Sequence, residues 1–317
     1  MITWNVHSET LPTTRKPCAV SIGNFDGVHC GHAEIVRKLK AHGLPTVVFT
    51  FSPHPRQVLR PQNAPDLLTW PERKVELLKA LGVDEIILCS PKQILDWSAE
   101  TFFERVVVQL LDAKVLVEGP DFHFGKGRRG DTRLLGELCT QSGRLLEVVK
   151  AQHEVNGETV SSSRIREYIA QGEISSANAL LTAPYQIRGR VVHGEARGRT
   201  MGFPTANLAE IDTLLPAYGV YACRAYVPDG GKLSDESEDV TRGAWYPAAV
   251  HIGPNVTFHE TEPKVEIYLL DFSGCVYEEH LQVEFLTRLR DLVTFDSRET
   301  LMAQIERDVQ ETRKLAK

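Results

Sequence analysis

The chain has 317 residues, 42% hydrophobic and 25% charged, with a formal net charge of −6. That composition fits a soluble globular protein of about two domains and excludes collagen-like and compositionally disordered chains. No run of about 20 apolar residues is present to span a bilayer, and no long Lys/Arg run marks a nucleic-acid face.

The first 14 residues are polar and lack the apolar stretch of a signal peptide. Cys18, Cys30, Cys89, Cys139, Cys223 and Cys275 are scattered and form no C-x-x-C pair. These features predict a cytoplasmic protein with reduced thiols and no membrane or nucleic-acid partner.

Cys18–Ile22 is an apolar run ending at Gly23 and reads as a buried strand. Residues 32–41 follow with Ile35, Val36 and Leu39 at helical spacing. Thr46–Phe51 is a second strand, 72–81 a helix stopped by Gly82, Glu85–Cys89 a third strand and 99–111 a further helix. Residues 114–118 and 145–149 supply two more strands. Strands alternating with helices imply a parallel, Rossmann-like α/β sheet, with ligands past the carboxyl ends of its strands.

The pattern changes around Ala183 and Pro184, which divides the chain into domains 1–183 and 184–317. The second half has short strand signals at Gln186–Val192, 220–226, 248–252, 265–271 and 281–285, separated by turn residues. That spacing predicts a small antiparallel β-barrel. Residues 228–243 read as an exposed acidic loop, and Arg298–Leu315 as a closing helix.

The segment Gly23-Asn24-Phe25-Asp26-Gly27-Val28-His29-Cys30-Gly31-His32 joins the first strand to the first helix. Glycines let the backbone approach a ligand, and a helix start directs N–H groups at an anion. His29 and His32 add side-chain donors to the same phosphates. Such a site suits adenylyl transfer, in which the protein aligns an acceptor phosphate with the α-phosphate of ATP and neutralises charge. A single histidine here would be a cap or surface residue. The whole H-x-G-H string after a strand resembles the signature of the nucleotidyltransferase superfamily.

That resemblance implies a second phosphate element at Ser161-Ser162-Ser163-Arg164-Ile165-Arg166. Ser162 and Ser163 would cap a helix or donate to phosphate, and Arg166 would hold the β- or γ-phosphate. Read alone, the segment is a serine cap followed by solvated arginines. The loop from Glu118 to Gly130 contains G-x-D-F-x-F-G-x-x-R-x-G. Phe122 and Phe124 by themselves fit a core. The string resembles a stretch of the prokaryotic FMN adenylyltransferases, which implies flavin contacts for Asp121, Phe122 and Phe124. Thr50-Phe51-Ser52-Pro53-His54-Pro55 resembles another flavin-side element, carrying Ser52.

The second half contains Gly189-Arg190-Val191-Val192-His193-Gly194 and then Arg197-Gly198-Arg199-Thr200-Met201-Gly202-Phe203-Pro204-Thr205-Ala206-Asn207-Leu208. A glycine-rich lead-in brings backbone N–H groups to phosphates, and Thr205 and Asn207 offer neutral oxygens suited to Mg2+. An isolated P-T-A-N is a β-turn. The full string resembles the riboflavin kinase signature, which implies Mg-ATP binding by Gly194, Gly198, Arg199, Thr205 and Asn207. A P-loop kinase is excluded, since G-x-x-x-x-G-K-[ST] is absent. Glu266 interrupts an apolar strand and reads alone as an outward-facing carboxylate. The resemblance makes it the general base for the riboflavin 5′-hydroxyl. Arg290 reads alone as a solvated helix residue, and the resemblance puts it near the flavin or nucleotide.

The combined resemblance, from about residue 18 to about residue 308, is to the bifunctional riboflavin kinase/FAD synthetase family. It implies ATP-dependent conversion of riboflavin to FMN and of FMN to FAD, with Mg2+ as cofactor. Ser52 stands where Asp is common in that family, Ser163 where Thr is common, Val256 where Pro is frequent and Glu278 where Gly is frequent. Ser52 and Ser163 leave open a kinase with a weakened adenylyltransferase module. A third reading is a non-catalytic flavin-binding regulator, against which His29, His32, Thr205, Asn207 and Glu266 argue. The oligomeric state is left open.

Overall fold

The computed structural model describes residues 2–4, 16–149, 154–155, 157–194, 198, 202–229, 243–255, 257 and 261–316. The chain divides into two compact units, Met1–Ser162 and Ser163–Lys317.

The first unit is built on a six-stranded, all-parallel sheet. Its strands are β1 (Ile2–Trp4), β2 (Cys18–Ile22), β3 (Thr46–Phe51), β4 (Glu85–Cys89), β5 (Ala113–Glu118) and β6 (Leu145–Val148), in the order β1-β4-β3-β2-β5-β6. β2 and β4 are buried along their whole length, as expected of strands covered on both faces. Their Val, Ile and Leu side chains each contribute roughly 1.5–3 kcal/mol by burial. β1 was not read from the sequence: it has three residues and exists by pairing in parallel with β4. The connecting helices are α1 (Cys30–Ala41), α2 (Pro55–Leu59), α3 (Pro71–Ala80), α4 (Ala99–Phe102, running on as a π-helical stretch over Phe103–Leu110) and α5 (Thr132–Gln141). The main core packs Val20, Phe49, Phe102, Phe103, Leu110 and Leu116 together. A short hairpin, β7 (Glu154–Val155) with β8 (Glu158–Thr159), precedes α6 (Ser162–Gln171).

The second unit is a closed antiparallel barrel, β10-β13-β12-β11-β14-β9. Its strands are β9 (Gln186–Val192), β10 (Ala206–Ala209), β11 (Gly219–Val227), β12 (Ala244–Gly253), β13 (Lys264–Leu269) and β14 (His280–Arg290). Closure leaves no unpaired sheet edge. Period-two alternation points Val265, Ile267 and Leu269 into the barrel and puts Glu266 on the other face. Inside, Tyr221 and Phe285 meet edge-on at 5.4 Å. α7 (Ile174–Leu180) is tied to β14 by Asn178, whose amide donates to the Phe285 carbonyl at 2.9 Å while its oxygen accepts from the Tyr185 N–H at 2.8 Å. α8 (Arg298–Leu315), capped by Ser297, packs on β11, β12 and β14. Residues 228 and 229 follow β11, and 230–242 of the expected acidic loop lie outside the described residues.

Candidate functional sites

β3 lies on one side of β2 and β5 on the other, so a crevice opens where β2 ends. The loop that follows is built under strain. Phe25 (φ 48°), Gly27 (φ 85°) and Val28 (φ 42°) are left-handed, and the two non-glycines cost about 1–3 kcal/mol each. Asp26, 2% exposed, offsets this cost. Its carboxylate accepts from the Leu68 N–H at 3.1 and 3.2 Å, from the Thr69 N–H at 3.1 Å and from the Thr69 hydroxyl at 3.1 Å. The Thr69 hydroxyl in turn accepts from the Gly27 N–H at 3.2 Å. Asp26 is buried beneath the motif, which spacing alone did not reveal.

α1 begins at Cys30, with His29 as its N-cap, so His32 lies inside the first turn. His29 Nδ1 accepts from the His32 N–H at 3.4 Å, and His32 Nδ1 accepts from the His29 N–H at 3.2 Å. The rings stack with centroids 3.6 Å apart. A ring nitrogen that accepts a backbone N–H carries no proton, so each neutral imidazole keeps its proton on Nε2. Desolvation, then the charges of His29 and Lys74, hold the His32 pKa well below its ordinary value of 6.5. His32 is thus fixed as a neutral N–H donor in the first turn of a helix, with His29 as its N-cap.

Ser162, at the opening of α6, donates to the Asp26 carbonyl at 2.9 Å, a contact across 136 residues. Ser163 is exposed and Arg166 half-buried on the next turn. Gly23 donates to the Phe49 carbonyl at 3.0 Å, and exposed Asn24 follows it, its carbonyl held by Thr50. Ser52 is anchored through its N–H to the Cys89 carbonyl at 3.1 Å. In the 119–130 loop, Phe124 is 6% exposed and belongs to the core, Phe122 stacks on it at 5.4 Å, and Asp121 is exposed.

The second site is on the barrel. Asn207 (β10) and Glu266 (β13) are direct cross-strand partners, and His251 (β12) pairs with Glu266 on the other side. Direct antiparallel partners share a face, so Asn207, Glu266 and His251 form one row. The Asn255 amide donates to Glu266 at 3.3 Å. Desolvation lowers the His251 pKa, with Glu266 opposing it. Gly198 lies against the chain just ahead of Asn207: a Cβ there would stand 2.3 Å from the Phe203 carbonyl oxygen and 3.3 Å from the Thr205 hydroxyl. Arg199 lies outside the described residues. Among the described residues, no group of three or more His, Cys, Asp or Glu could hold a metal. Thr205 and Asn207 instead present neutral oxygens, a donor set that fits Mg2+, which keeps water and phosphate among its ligands.

A hollow of about 80 Å³ beside Thr205 is lined by Pro204, Ile267, Leu269, Phe272 and Tyr277. Arg290 ends β14 rather than lying on a helix. Its guanidinium is held by the Asp308 carboxylate of α8 through contacts of 2.8, 2.9 and 3.2 Å. Glu278 has φ 66°, a conformation in which glycine is unstrained. Val256 is outside the described residues.

Residues 11–164 match the FAD synthetase family and residues 181–316 the riboflavin kinase family. The bifunctional riboflavin kinase/FMN adenylyltransferase of Haemophilus influenzae is 33% identical over 92% of both chains. The protein of the same description from Pseudomonas fluorescens is 34% identical over 96% of this chain and 95% of its own. A crystal structure from Streptococcus pneumoniae, described as a macrolide-efflux protein, superposes with a TM-score of 0.82 at 32% identity, covering 99% of both chains. Efflux belongs to that protein's description; here no helix among the described residues is long and apolar enough to cross a membrane. The chain belongs to the bifunctional riboflavin kinase/FMN adenylyltransferase family.

Proposed function

We propose that this chain phosphorylates riboflavin to FMN with ATP and adenylylates FMN to FAD with release of pyrophosphate. The observation that carries the reading is the presence in one chain of the reciprocally capped His29–His32 pair and the Asn207–Glu266 strand pair. In the kinase step, Glu266 takes the proton of the riboflavin 5′-hydroxyl as that oxygen attacks the γ-phosphorus and ADP leaves. Thr205 and Asn207 hold Mg2+, which neutralises phosphate charge when bound. Gly194, Gly198 and Arg199 bind the phosphates, and Arg290, fixed by Asp308, lies on the flavin side.

In the adenylyl step, a phosphate oxygen of FMN attacks the α-phosphorus of ATP and pyrophosphate departs. The Nε2–H groups of His29 and His32, with the loop at Gly23 and Asn24, stabilise the charge that develops on the phosphate oxygens. Ser162, Ser163 and Arg166 hold the departing phosphates. Ser52, Asp121, Phe122 and Phe124 form the flavin side, with the phenylalanines acting through packing. Adenylyl transfer is assigned to residues 1–183 and the kinase to 184–317, in a cytoplasmic protein with its six cysteines reduced.

The test is the product profile from riboflavin and Mg-ATP over time. FMN is expected first, then FAD with pyrophosphate. If FMN and ATP yield neither FAD nor pyrophosphate, the adenylyl half is wrong and the kinase half stands.

A further inference from the structure

Lys74 is an anomaly in the first unit. It lies on α3 with 6% of its surface exposed, and its Nζ donates to the Phe51 carbonyl at the end of β3, at 3.2 Å. Among the described residues that carbonyl is its one hydrogen-bonded acceptor, and no carboxylate pairs with it within 4 Å. An ammonium has three N–H donors, and a lysine this buried is ordinarily paired. Asp26 is near enough to favour the charged form, but its carboxylate is occupied by Leu68 and Thr69. Desolvation dominates and brings the Lys74 pKa down to about 8. The same ammonium is felt by His32, whose protonation it opposes.

Nζ is therefore fixed at the carboxyl end of β3, the strand that pairs with β2 and so flanks its loop, and its charge acts on Asp26 and His32. With the His32 ring neutral, it brings a donor but no net charge to polyanionic substrates. We propose that Lys74 is a further phosphate-binding residue of the adenylyl-transfer site, its two unclaimed N–H groups meeting a substrate phosphate oxygen. The phosphate is the FMN monoester or the α-phosphate of ATP. This rests on the assignment of adenylyl transfer to the His29–His32 site.

The experiment measures initial rates of FAD formation from FMN and Mg-ATP in the full-length protein, with Lys74→Met and Lys74→Arg, between pH 6.5 and 9.5. Riboflavin phosphorylation and thermal midpoint are followed in parallel. In the unsubstituted chain, kcat/KM is expected to fall as pH rises through about 8, where Lys74 loses its proton. Lys74→Met should lower FAD formation roughly 10- to 100-fold, the effect of a charge-assisted hydrogen bond, and abolish that alkaline limb. Lys74→Arg should restore part of the rate and move the limb to higher pH. A loss in kcat/KM for FMN alone identifies the monoester, and a loss for ATP alone the α-phosphate. Riboflavin phosphorylation should be unchanged.

A flat profile for the unsubstituted chain overturns the proposal, even if Lys74→Met fails to fold. So does unchanged FAD formation by folded Lys74→Met. If His29→Asn leaves FAD formation intact, the underlying site assignment fails instead.

Discussion

Gly194 lies so close beneath the Asn207 amide that a Cβ there would stand 2.0 Å from Nδ2 and 2.6 Å from Cγ. The contact explains why the kinase string needs a glycine 13 positions before its asparagine. Asn207 is held in the row with Glu266, and any side chain at 194 would displace it. Gly194→Ala is expected to lower riboflavin phosphorylation about 10-fold or more, because a misplaced ligand loses alignment. FAD formation from supplied FMN should be unaffected. Both rates, measured on one preparation, check this.

Asn207→Ala and Glu266→Gln should also separate the activities. Loss of a general base costs about 10²- to 10⁴-fold, so Glu266→Gln should abolish most FMN formation and spare FAD formation. Unchanged phosphorylation would show that Glu266 is not the base.

The histidine pair allows cap and chemistry to be separated. His29→Ala removes a cap worth about 0.5–2 kcal/mol as well as an N–H donor. Asparagine is a good N-cap but brings no imidazole Nε2–H. His29→Asn should therefore keep the thermal midpoint and lower FAD formation about 10²-fold, with FMN formation intact. Equal loss of both activities in a folded variant would refute independent sites.

Asp26→Ala should destabilise the first unit. Leu68 and Thr69 would be left with buried N–H groups unsatisfied, a cost of about 2–4 kcal/mol. The thermal transition should fall, and FAD formation with it. A transition unchanged from that of the unsubstituted chain would show that Asp26 is not the latch.

The depressed His32 pKa fixes a pH dependence. The unfolded chain binds a proton at about pH 6.5 before the folded ring does, so His32 lowers stability as pH falls below about 6.5. Above that value its contribution is constant. Protonation of Nδ1 also breaks the cap to His29. FAD formation should therefore hold level down to about pH 6.5 and decline only below it. An acid limb centred above pH 7 would contradict a neutral His32.

Much of the fold was legible. β2, β3 and β4 appear with the limits their apolar runs predict, because strands buried on both faces require unbroken apolar sequence. β1 and β10 carry no such signal. They have three and four residues, and each is a strand through the partner it meets. Arg290 reads alone as a solvated helix residue but ends β14 and is held by Asp308, a partner 18 residues away that no local pattern reveals.

The sequence by itself determined the two motifs, their chemistry and the two fold classes, since glycines, imidazoles and a lone strand carboxylate are local facts. Only the tertiary structure decided that Asn207, Glu266 and His251 share one row, that the histidines fix each other's tautomers, and that Asp26 and Lys74 are buried. Those relationships are set by strand register and by burial, which depend on residues distant in the chain.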